Sequence, residues 1–227
     1  LSLNTPCLSY LSSLVKKSRS ARSNRSRHVI DDNAEQVAAK NRRIVLKLTV
    51  MLMELVHLKI LSPQKKNGNK KMSMPLKIKC NVKMFANLRM LEIHGAELYD
   101  LENLSFLRDR LEVLYIEGST VHCPSTILFE PDKVPNPPPN NSRPTPSQMQ
   151  DYHDSGYIWP RLARIKISNC LMKMLDRSVA FLPQGRVFDF SRNELDVSSF
   201  KALALIAQSS KMSSIDLAFN RLSSCES

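Results

Sequence analysis

The chain has 227 residues, 42% of them hydrophobic, which is enough for one or two domains, and its five glycines argue against a phosphate-cradling loop. The net charge of +12 is unevenly placed: residues 1–84 contain 18 Lys and Arg against 4 Asp and Glu, whereas the rest contains 15 against 17. This asymmetry predicts a basic N-terminal part and a nearly neutral remainder with separate roles.

Residues 1–43 are predicted to be a disordered basic arm. The run KKSRSARSNRSR at 16–27 is rich in serine and arginine, and no acidic residue precedes Asp31. A solvated tail is the favoured interpretation, and a transit peptide, a nuclear localisation patch and a nucleic-acid contact remain as alternatives. No aromatic residue lies between residues 11 and 84, so nucleic-acid binding here would depend on phosphate charge and not on base stacking.

Residues 44–84 are predicted to form an N-terminal capping helix and strand. The run at 44–61 is strongly apolar, but it is shorter than the roughly 20 residues that a membrane span needs, and it contains Glu54. We therefore expect a buried helix against the open end of the fold. The segment LKIKCNVKM at 76–84 alternates apolar and polar residues, which predicts a strand that either begins the sheet or forms an early, degenerate repeat.

The segment GRVFDFSRNEL at 185–195 shows the pattern on which the fold prediction depends. Phe188 and Phe190 alternate with polar residues, which predicts a short strand with one buried face. Asn193 follows, and its side chain can bond the backbone of a tight turn that ends the strand. Leu195 then returns to the core. This spacing matches the consensus L-x-x-L-x-L-x-x-N-x-L of leucine-rich repeats.

The same pattern starts at residues 88, 111, 162, 185 and 212, with Ala, Ser, Cys, Asn and Asn in the asparagine position. Three of the four steps lie within the 20–29 residues typical of this repeat class. The remaining step, of 51 residues, corresponds to two periods or to one period with an insertion. The sequence therefore predicts an α/β fold, a leucine-rich-repeat solenoid whose parallel β-sheet forms a horseshoe, over residues 85–227.

A proline-rich insertion is predicted at about 124–150, where PNPPPNNSRPTP occupies 135–146. Proline removes backbone donors and fixes φ, so we expect neither a strand nor a helix to run through it. A linker is the favoured interpretation, and a ligand for an SH3 or WW module or for a proline-directed kinase remains as an alternative. Between repeats, the apolar spacing at 101–108 and 176–182 predicts short helical or 3₁₀ segments.

The residue types needed for catalysis or metal binding are present but not grouped. The five cysteines form no C-x-x-C pair, the five histidines are dispersed, and the chain has no G-x-S-x-G, GK[ST] or H-E-x-x-H motif. We therefore predict a non-enzymatic protein with no metal site, no cofactor, no small-molecule substrate and reduced, intracellular thiols.

The predicted sheet offers a surface for a protein partner. In each repeat the residue between the two buried strand positions points outwards, onto the concave face. The predicted partner-binding residues are these outward positions and one that follows them: Glu92, Tyr115, Glu117, Lys166, Asp189 and Asp216. The next outward positions are His94, Ser168, Ser191 and Ala218. The predicted function is a protein–protein interaction scaffold, and the alternative is a nucleic-acid-associated repeat protein that uses the basic arm. A membrane-tethered adaptor anchored at 44–61 is the least favoured interpretation.

Residues 86–227 resemble the N-terminal leucine-rich-repeat region of the liver-kinase-interacting protein family and, more loosely, nischarin. The resemblance is carried by RDRLEVLYIEGS at 108–119, WPRLARIKISNC at 159–170, LDRSVAFLP at 175–183 with VFDFSRNEL after it, and SIDLAFNRL at 214–222. Residues 1–75 do not share it, and Gly185 replaces the usual leucine. The resemblance implies a non-enzymatic, cytoplasmic or endomembrane-associated scaffold that holds a serine/threonine kinase. Because the chain lacks an initial Met and a polar cap after its last repeat, we expect a fragment of a longer protein.

Overall fold

The computed structural model describes residues 2–4, 32–61, 80–96, 101–129, 158–209 and 211–222. Within these ranges the chain is a mixed α/β structure with nine strands and three α-helices. The strands are β1 (Ser2–Asn4), β2 (His57–Leu61), β3 (Cys80–Asn81), β4 (Met90–His94), β5 (Leu101–Glu102), β6 (Val113–Glu117), β7 (Arg164–Ser168), β8 (Val187–Asp189) and β9 (Ser214–Asp216). The helices are α1 (Asp32–Met53), α2 (Ser125–Leu128) and α3 (Phe200–Ser209).

Seven strands form one parallel sheet in the order β1-β2-β4-β6-β7-β8-β9. From β2 onwards the strands of this sheet are neighbours in the order in which the chain makes them. Parallel neighbours need a crossover connection, and the described connections contain the helices, the 3₁₀ segments and the small parallel pair β3-β5. The predicted α/β class with a parallel sheet is confirmed.

The strands pair in phase with the sequence repeat. Leu91 pairs with Leu114, and the same row continues through Ile165, Phe188 and Ile215. The first four of these side chains are almost fully buried, with at most 2% exposed. Each predicted repeat therefore contributes its fourth residue to one continuous row in the core.

The prediction of a single buried helix at 44–61 is wrong. Helix α1 ends at Met53, and β2 follows at His57. Leu58 and Ile60 are fully buried and pair with Leu91 and Ile93, so this segment is a further strand in phase with the repeats. An unbroken apolar run cannot by itself separate a buried helix from a buried strand.

The prediction of a disordered arm at 1–43 is also wrong in part. Helix α1 begins at Asp32, and β1 occupies residues 2–4, where it pairs with β2. Residues 5–31, which contain the basic run, lie outside the described part of the chain.

The segment at 76–84 does not form the single strand that its sequence predicts. Residues 76–79 lie outside the described ranges, and β3 pairs with β5 and does not join the main sheet. Residues Val82–Met84 form a 3₁₀ helix, because the Asn81 side chain accepts a hydrogen bond from the backbone N–H of Lys83 (3.0 Å) and starts a turn. The described part of this segment, residues 80–84, is therefore neither the beginning of the main sheet nor a repeat strand.

Short helical segments lie where the spacing predicts them. Leu104–Leu107 and Arg177–Phe181 are 3₁₀ helices, which confirms the prediction for 176–182 and for the second half of 101–108, whereas Leu101–Glu102 form β5. Asp176 caps the second of them by accepting from the backbone N–H of Ser178 (3.0 Å).

The proline-rich insertion starts with structure that the sequence did not predict. Helix α2 lies just after Pro124, a position that tolerates proline because the first N–H groups of a helix lack partners within it. Residues 130–157 lie outside the described ranges. On the far side, the Trp159 indole N–H donates to the carbonyl of Leu128 (2.9 Å). The chain therefore leaves for the insertion and returns from it at adjacent points.

One backbone conformation recurs at the eighth position of every predicted repeat. The residue there has a positive φ, between 52° and 68°, in five successive repeats: Gly95, Gly118, Asn169, Arg192 and Phe219. A left-handed residue at the end of a strand reverses the chain direction. It thereby turns the next residue, the one in the asparagine position, towards the interior.

The asparagine position forms hydrogen bonds between successive turns. The Asn193 side-chain oxygen accepts from the backbone N–H groups of Cys170 (2.9 Å) and Met172 (3.2 Å). Its amide nitrogen donates to the carbonyls of Ile167 (2.6 Å) and Phe190 (3.0 Å). Asn193 therefore satisfies polar backbone groups of both its own turn and the preceding one.

Other residues in this position make parts of the same pattern. Asn220 accepts from the N–H of Leu195 (3.0 Å) and donates to the carbonyl of Phe190 (2.9 Å). The Cys170 thiol lies 3.7 Å from the carbonyl of Ile116, and the Ser119 hydroxyl donates to the carbonyl of Ala96 (2.6 Å). Cysteine and serine thus reach a neighbouring carbonyl but cannot also accept and donate as widely as an amide.

Replacing Asn193 by alanine should destabilise the fold by about 2–4 kcal/mol, because several buried backbone groups lose their partners. Asn220→Ala is the matched control: it removes the same type of bonds at a half-buried position, where water can replace them, and should cost about 1 kcal/mol. Urea unfolding followed by circular dichroism measures both. Equal losses in the two variants would contradict the role given to the buried amide.

Gly185, in place of the usual leucine, is explained by its neighbour. A Cβ atom at this position would lie 2.5 Å from Cζ of Phe188 and 3.0 Å from the carbonyl oxygen of Leu182. In three of the other four predicted repeats a leucine precedes a smaller aliphatic residue at the fourth position, as in Leu111 and Leu114, and Met212 takes the first position in the fourth. The phenylalanine ring thus takes the volume that a leucine fills elsewhere.

We therefore expect Gly185→Leu, although it restores the consensus, to destabilise the protein by about 1–3 kcal/mol through overpacking. The double variant Gly185→Leu with Phe188→Leu should recover most of this loss, because it reproduces the pair found in the other turns. Chemical unfolding of both variants and of Phe188→Leu alone tests the coupling. A stable single variant, or a double variant with purely additive losses, would show that the two positions do not share one volume.

Candidate functional site

The strand register aligns a row of outward-facing residues across the sheet. This central row contains Lys59, Glu92, Tyr115, Lys166, Asp189 and Asp216. With neighbouring strands about 4.8 Å apart, the six residues span about 24 Å. Five of them are the predicted central positions, in the predicted order.

Two further rows flank the central row, because residues two positions apart on a strand point to the same face. The row on one side contains His57, Met90, Val113, Arg164, Val187 and Ser214. The row on the other side contains Leu61, His94, Glu117 and Ser168. The predicted site residue Glu117 lies in this second row, beside His94.

Glu92 is the centre of a cluster of charged and titratable side chains. Its carboxylate lies 3.1 Å from Nζ of Lys59, 2.9 Å from Nε2 of His57 and 3.1 Å from Nε2 of His94. Nδ1 of His94 lies 3.4 Å from the carboxylate of Glu117. The Glu92 side chain is only 12% exposed, so its charge is neutralised by neighbours and not by water.

The pKa of Glu92 reflects this environment. Burial raises the pKa of the carboxyl, but the hydrogen bonds from His94, Lys59 and His57 and the charge of Lys59 lower it more, so the pKa lies below its usual value of 4.5. Glu92 is therefore ionised at neutral pH and holds the side chains of the neighbouring strands β2 and β4 together.

A second ion pair lies further along the central row. Nζ of Lys166 lies 3.4 Å from the carboxylate of Asp189. Asp189 also accepts from the backbone N–H (3.0 Å) and hydroxyl (2.6 Å) of Ser191, two residues later. Burial raises the pKa of Asp189, but the Ser191 hydrogen bonds and the Lys166 charge lower it more, so this carboxyl is also ionised.

Asp216 occupies the equivalent position in the next strand and makes an equivalent bond. Its carboxylate accepts from the backbone N–H of Ala218 (2.9 Å). Aspartate at this position therefore has a local structural role, in that it fixes the turn that follows the strand.

Tyr115 lies between the two charged groups, opposite Glu92 on one side and Lys166 on the other. Tyr115 is half-buried. The apolar residues in the adjacent row, on the strand of Tyr115 and on nearby strands, are half-buried as well. We call these four residues the central patch: Met90, Val113, Tyr115 and Val187. The exposed side chain of Arg164 lies between Val113 and Val187 in the same row. The predicted residues Glu92, Lys166 and Asp189 surround this patch but are engaged with other residues of the chain.

Two of these features were not predicted. Lys59 and His57 lie in the apolar run that predicts a helix, although the spacing Leu55-x-x-Leu58-x-Ile60 within it matches the first half of the repeat consensus. Met90, Val113 and Val187 lie two residues before the predicted outward row. The period-2 alternation of a strand places them on the same outward face of the sheet as the central row.

Within the described ranges, no group of three or more His, Cys, Asp and Glu residues is arranged to hold a metal ion. None of the helices in this part of the chain is both long enough and apolar enough to cross a membrane. A scan against models of protein families finds no match for the chain, and a search of curated proteins finds no significant match. Function must therefore be inferred from the surface itself.

The cluster at Glu92 predicts a pH dependence of stability. Because the pKa of Glu92 is lowered on folding, its contribution is fully present above the unfolded value near 4.5 and is lost as the pH falls through the folded value. We expect Glu92→Gln to be less stable than the parent at pH 7 and the difference to shrink below pH 4.5. Guanidinium unfolding at pH 7 and pH 3.5 measures both differences.

Glu112→Gln is the control for this experiment. Glu112 also lies near a cation, Nη1 of Arg89 (3.3 Å), but its side chain is 42% exposed and the pair is screened by solvent. This variant should unfold like the parent at both values of pH. A Glu92→Gln difference that is equally large at pH 3.5 would mean that its origin is not the carboxylate charge.

Proposed function

We propose that the chain is a leucine-rich-repeat solenoid that acts as a protein-binding scaffold through the concave face of its sheet. Three observations support the repeat architecture: the in-phase pairing of six successive strands, the left-handed residue at the same position of five repeats, and the hydrogen bonds made by the asparagine position. Repeat folds of this kind present extended surfaces for partners.

The observation that carries the proposed function is the contrast between the central patch and its surroundings. The charges of Glu92 and Asp189 are neutralised within the chain by lysines of neighbouring strands. Tyr115 and its apolar neighbours are half-buried side chains with surface left to cover. A partner that covers them gains burial of apolar surface without breaking an ion pair.

Tyr115 has the properties of an interface anchor. Tyrosine combines a large apolar ring with a polar end and few rotatable bonds, and residues of this type account for much of the binding energy in protein interfaces. The sheet also fixes the relative positions of the patch residues before binding, which lowers the entropic cost of association.

The remaining predicted residues form a charged rim around the patch. Glu117 is 46% exposed, and Asp216 lies at the end of the central row. Exposed charges at a rim affect the rate and specificity of association more than its strength. The partner class proposed from the family resemblance is a serine/threonine protein kinase, in the cytoplasm or at an endomembrane.

The double variant Tyr115→Ala with Val187→Ser tests the patch. We expect it to weaken partner binding at least tenfold, because it removes the anchor and part of the apolar surface. The full chain immobilised on beads captures partners from cell extract, mass spectrometry identifies them, and the affinity of each identified partner is then measured for parent and variant.

Lys173→Glu is the control, because Lys173 is exposed and lies outside the concave rows. It should leave binding unchanged, and both variants should keep a melting temperature within a few degrees of the parent. If Lys173→Glu abolished binding and the patch variant did not, the concave face would be excluded as the docking site.

The salt dependence of binding distinguishes the nucleic-acid alternative from the proposed function. Binding through phosphate contacts weakens steeply between 50 and 200 mM salt, by roughly a factor of 10³ or more for six contacts. Capture by an apolar patch should change much less over this range. A partner that is lost both at high salt and after nuclease treatment would support the alternative.

A further inference from the structure

Helix α1 exposes apolar side chains to solvent over most of its described length. Among residues 40–53, whose side chains the structure describes, only Leu52 is buried. The exposed fractions reach 62% for Leu46 and 66% for Met51. The other exposed apolar residues of the helix are Ile44, Val50 and Met53. Water is an unfavourable environment for so much apolar surface on one element.

The exposed residues have a regular arrangement. Leu46, Val50 and Met53 are spaced i, i+4 and i+7, so they form one stripe along the helix. On the helical repeat of 100° per residue, Arg42 lies on one side of this stripe and Arg43 on the other. Ile44 and Met51 form a second, shorter stripe, next to Lys40 and Lys47. Apolar and cationic residues therefore alternate around the solvent-exposed part of helix α1.

The charge of the helix is of one sign in this region. Residues 36–53 contain four Lys and Arg and no Asp or Glu. The four cations Lys40, Arg42, Arg43 and Lys47 are all exposed. Over residues 40–53 the free surface of the helix is therefore both apolar and positive, and the nearest acidic residues, Glu35 and Glu54, lie on either side of this stretch.

The helix is held by the sheet at its C-terminal end. Leu52 packs into the core, and three residues separate the end of the helix at Met53 from the start of β2 at His57. The 22 residues of the helix correspond to about 33 Å. Its position is thus fixed at one end, and its exposed surface lies on an element separate from the concave face.

We propose that α1 binds peripherally to an anionic lipid surface, with Leu46, Val50 and Met53 inserted at the boundary of the acyl chains. The side chains of the flanking arginines and lysines are long enough to reach lipid phosphates while their methylene groups cover apolar surface. The helix lies along the surface and does not cross the bilayer, in agreement with its charge and length.

Charge and shape together favour a lipid surface over other occupants. A nucleic acid complements the cations but leaves the apolar stripes in water. A groove in a protein also covers an apolar stripe, but it would need acidic residues placed opposite the cations on both sides of the stripe. An anionic bilayer supplies acyl chains for the Leu46, Val50 and Met53 stripe and phosphates for Arg42 and Arg43 on its two sides. This inference uses a different element from the proposed function and does not depend on it.

Vesicle cosedimentation of the full chain tests the inference with two compositions: pure phosphatidylcholine, and phosphatidylcholine with 30% phosphatidylserine. We expect the parent to bind the anionic vesicles at least tenfold more tightly than the neutral ones. The variant Leu46→Ser/Val50→Ser/Met53→Ser keeps every charge, including those of residues 16–27, and should bind the anionic vesicles at least tenfold more weakly than the parent. Arg42→Ala/Arg43→Ala/Lys47→Ala should lose a similar factor.

Matched controls change exposed residues elsewhere on the chain. Leu171→Ser/Met174→Ser/Val197→Ser removes three exposed apolar side chains, and Arg161→Ala/Lys173→Ala/Lys201→Ala removes three exposed cations. Both controls should bind anionic vesicles like the parent, and circular dichroism shows whether each variant retains its fold.

Three outcomes overturn the inference. The parent remaining in the supernatant with both vesicle types excludes a lipid surface and favours a protein groove. Undiminished binding by the folded triple-serine variant assigns the interaction to charge alone, as the basic run at 16–27 would produce. Equal losses in the controls exclude α1 as the specific site.

Discussion

The buried amide of Asn193 is the interaction on which the stacking of the turns depends. Where each strand ends, the chain turns inwards and its N–H and C=O groups lie away from water, so each needs a partner. An asparagine side chain both donates and accepts, and Asn193 thereby connects its own turn to the turn that contains Cys170 and Met172. Turns with serine or cysteine at this position make fewer bonds, and strand pairing and core packing contribute the rest.

The in-phase pairing of the strands determines which residues are neighbours on the surface of the sheet. Because successive strands pair in one phase, residues from turns 23 to 51 positions apart in sequence become neighbours in the rows of the sheet. Charged residues in these rows neutralise one another, as Lys166 and Asp189 do, and half-buried apolar residues remain available between them. The proposed partner surface lies on the sheet, and the proposed lipid-binding surface lies on α1. A protein with both would hold its partner close to a membrane.

The prediction from the sequence was wrong for the long apolar run at 44–61. Residues 44–61 are rich in apolar residues from end to end, so the run as a whole resembles one buried helix. The repeat spacing Leu55-x-x-Leu58-x-Ile60 at its end is too short a pattern to set a boundary within it. The boundary between α1 and β2 is set by tertiary contacts, because Leu58 and Ile60 can pair with Leu91 and Ile93 only as a strand. The same contacts leave most of α1 outside the core, so its apolar side chains are exposed where the sequence predicted burial.

The sequence by itself determined the parallel α/β class, the phase of five strands and the order of the residues in the central row. It could do so because alternation and the asparagine spacing are local properties of each repeat. Only the tertiary structure decided that Glu92 lies among Lys59, His57 and His94, that Phe188 fills the volume above Gly185, and that Tyr115 remains between two satisfied ion pairs. These contacts join different turns, and the geometry of a contact between turns depends on register, twist and side-chain rotamer, none of which is encoded within a single repeat.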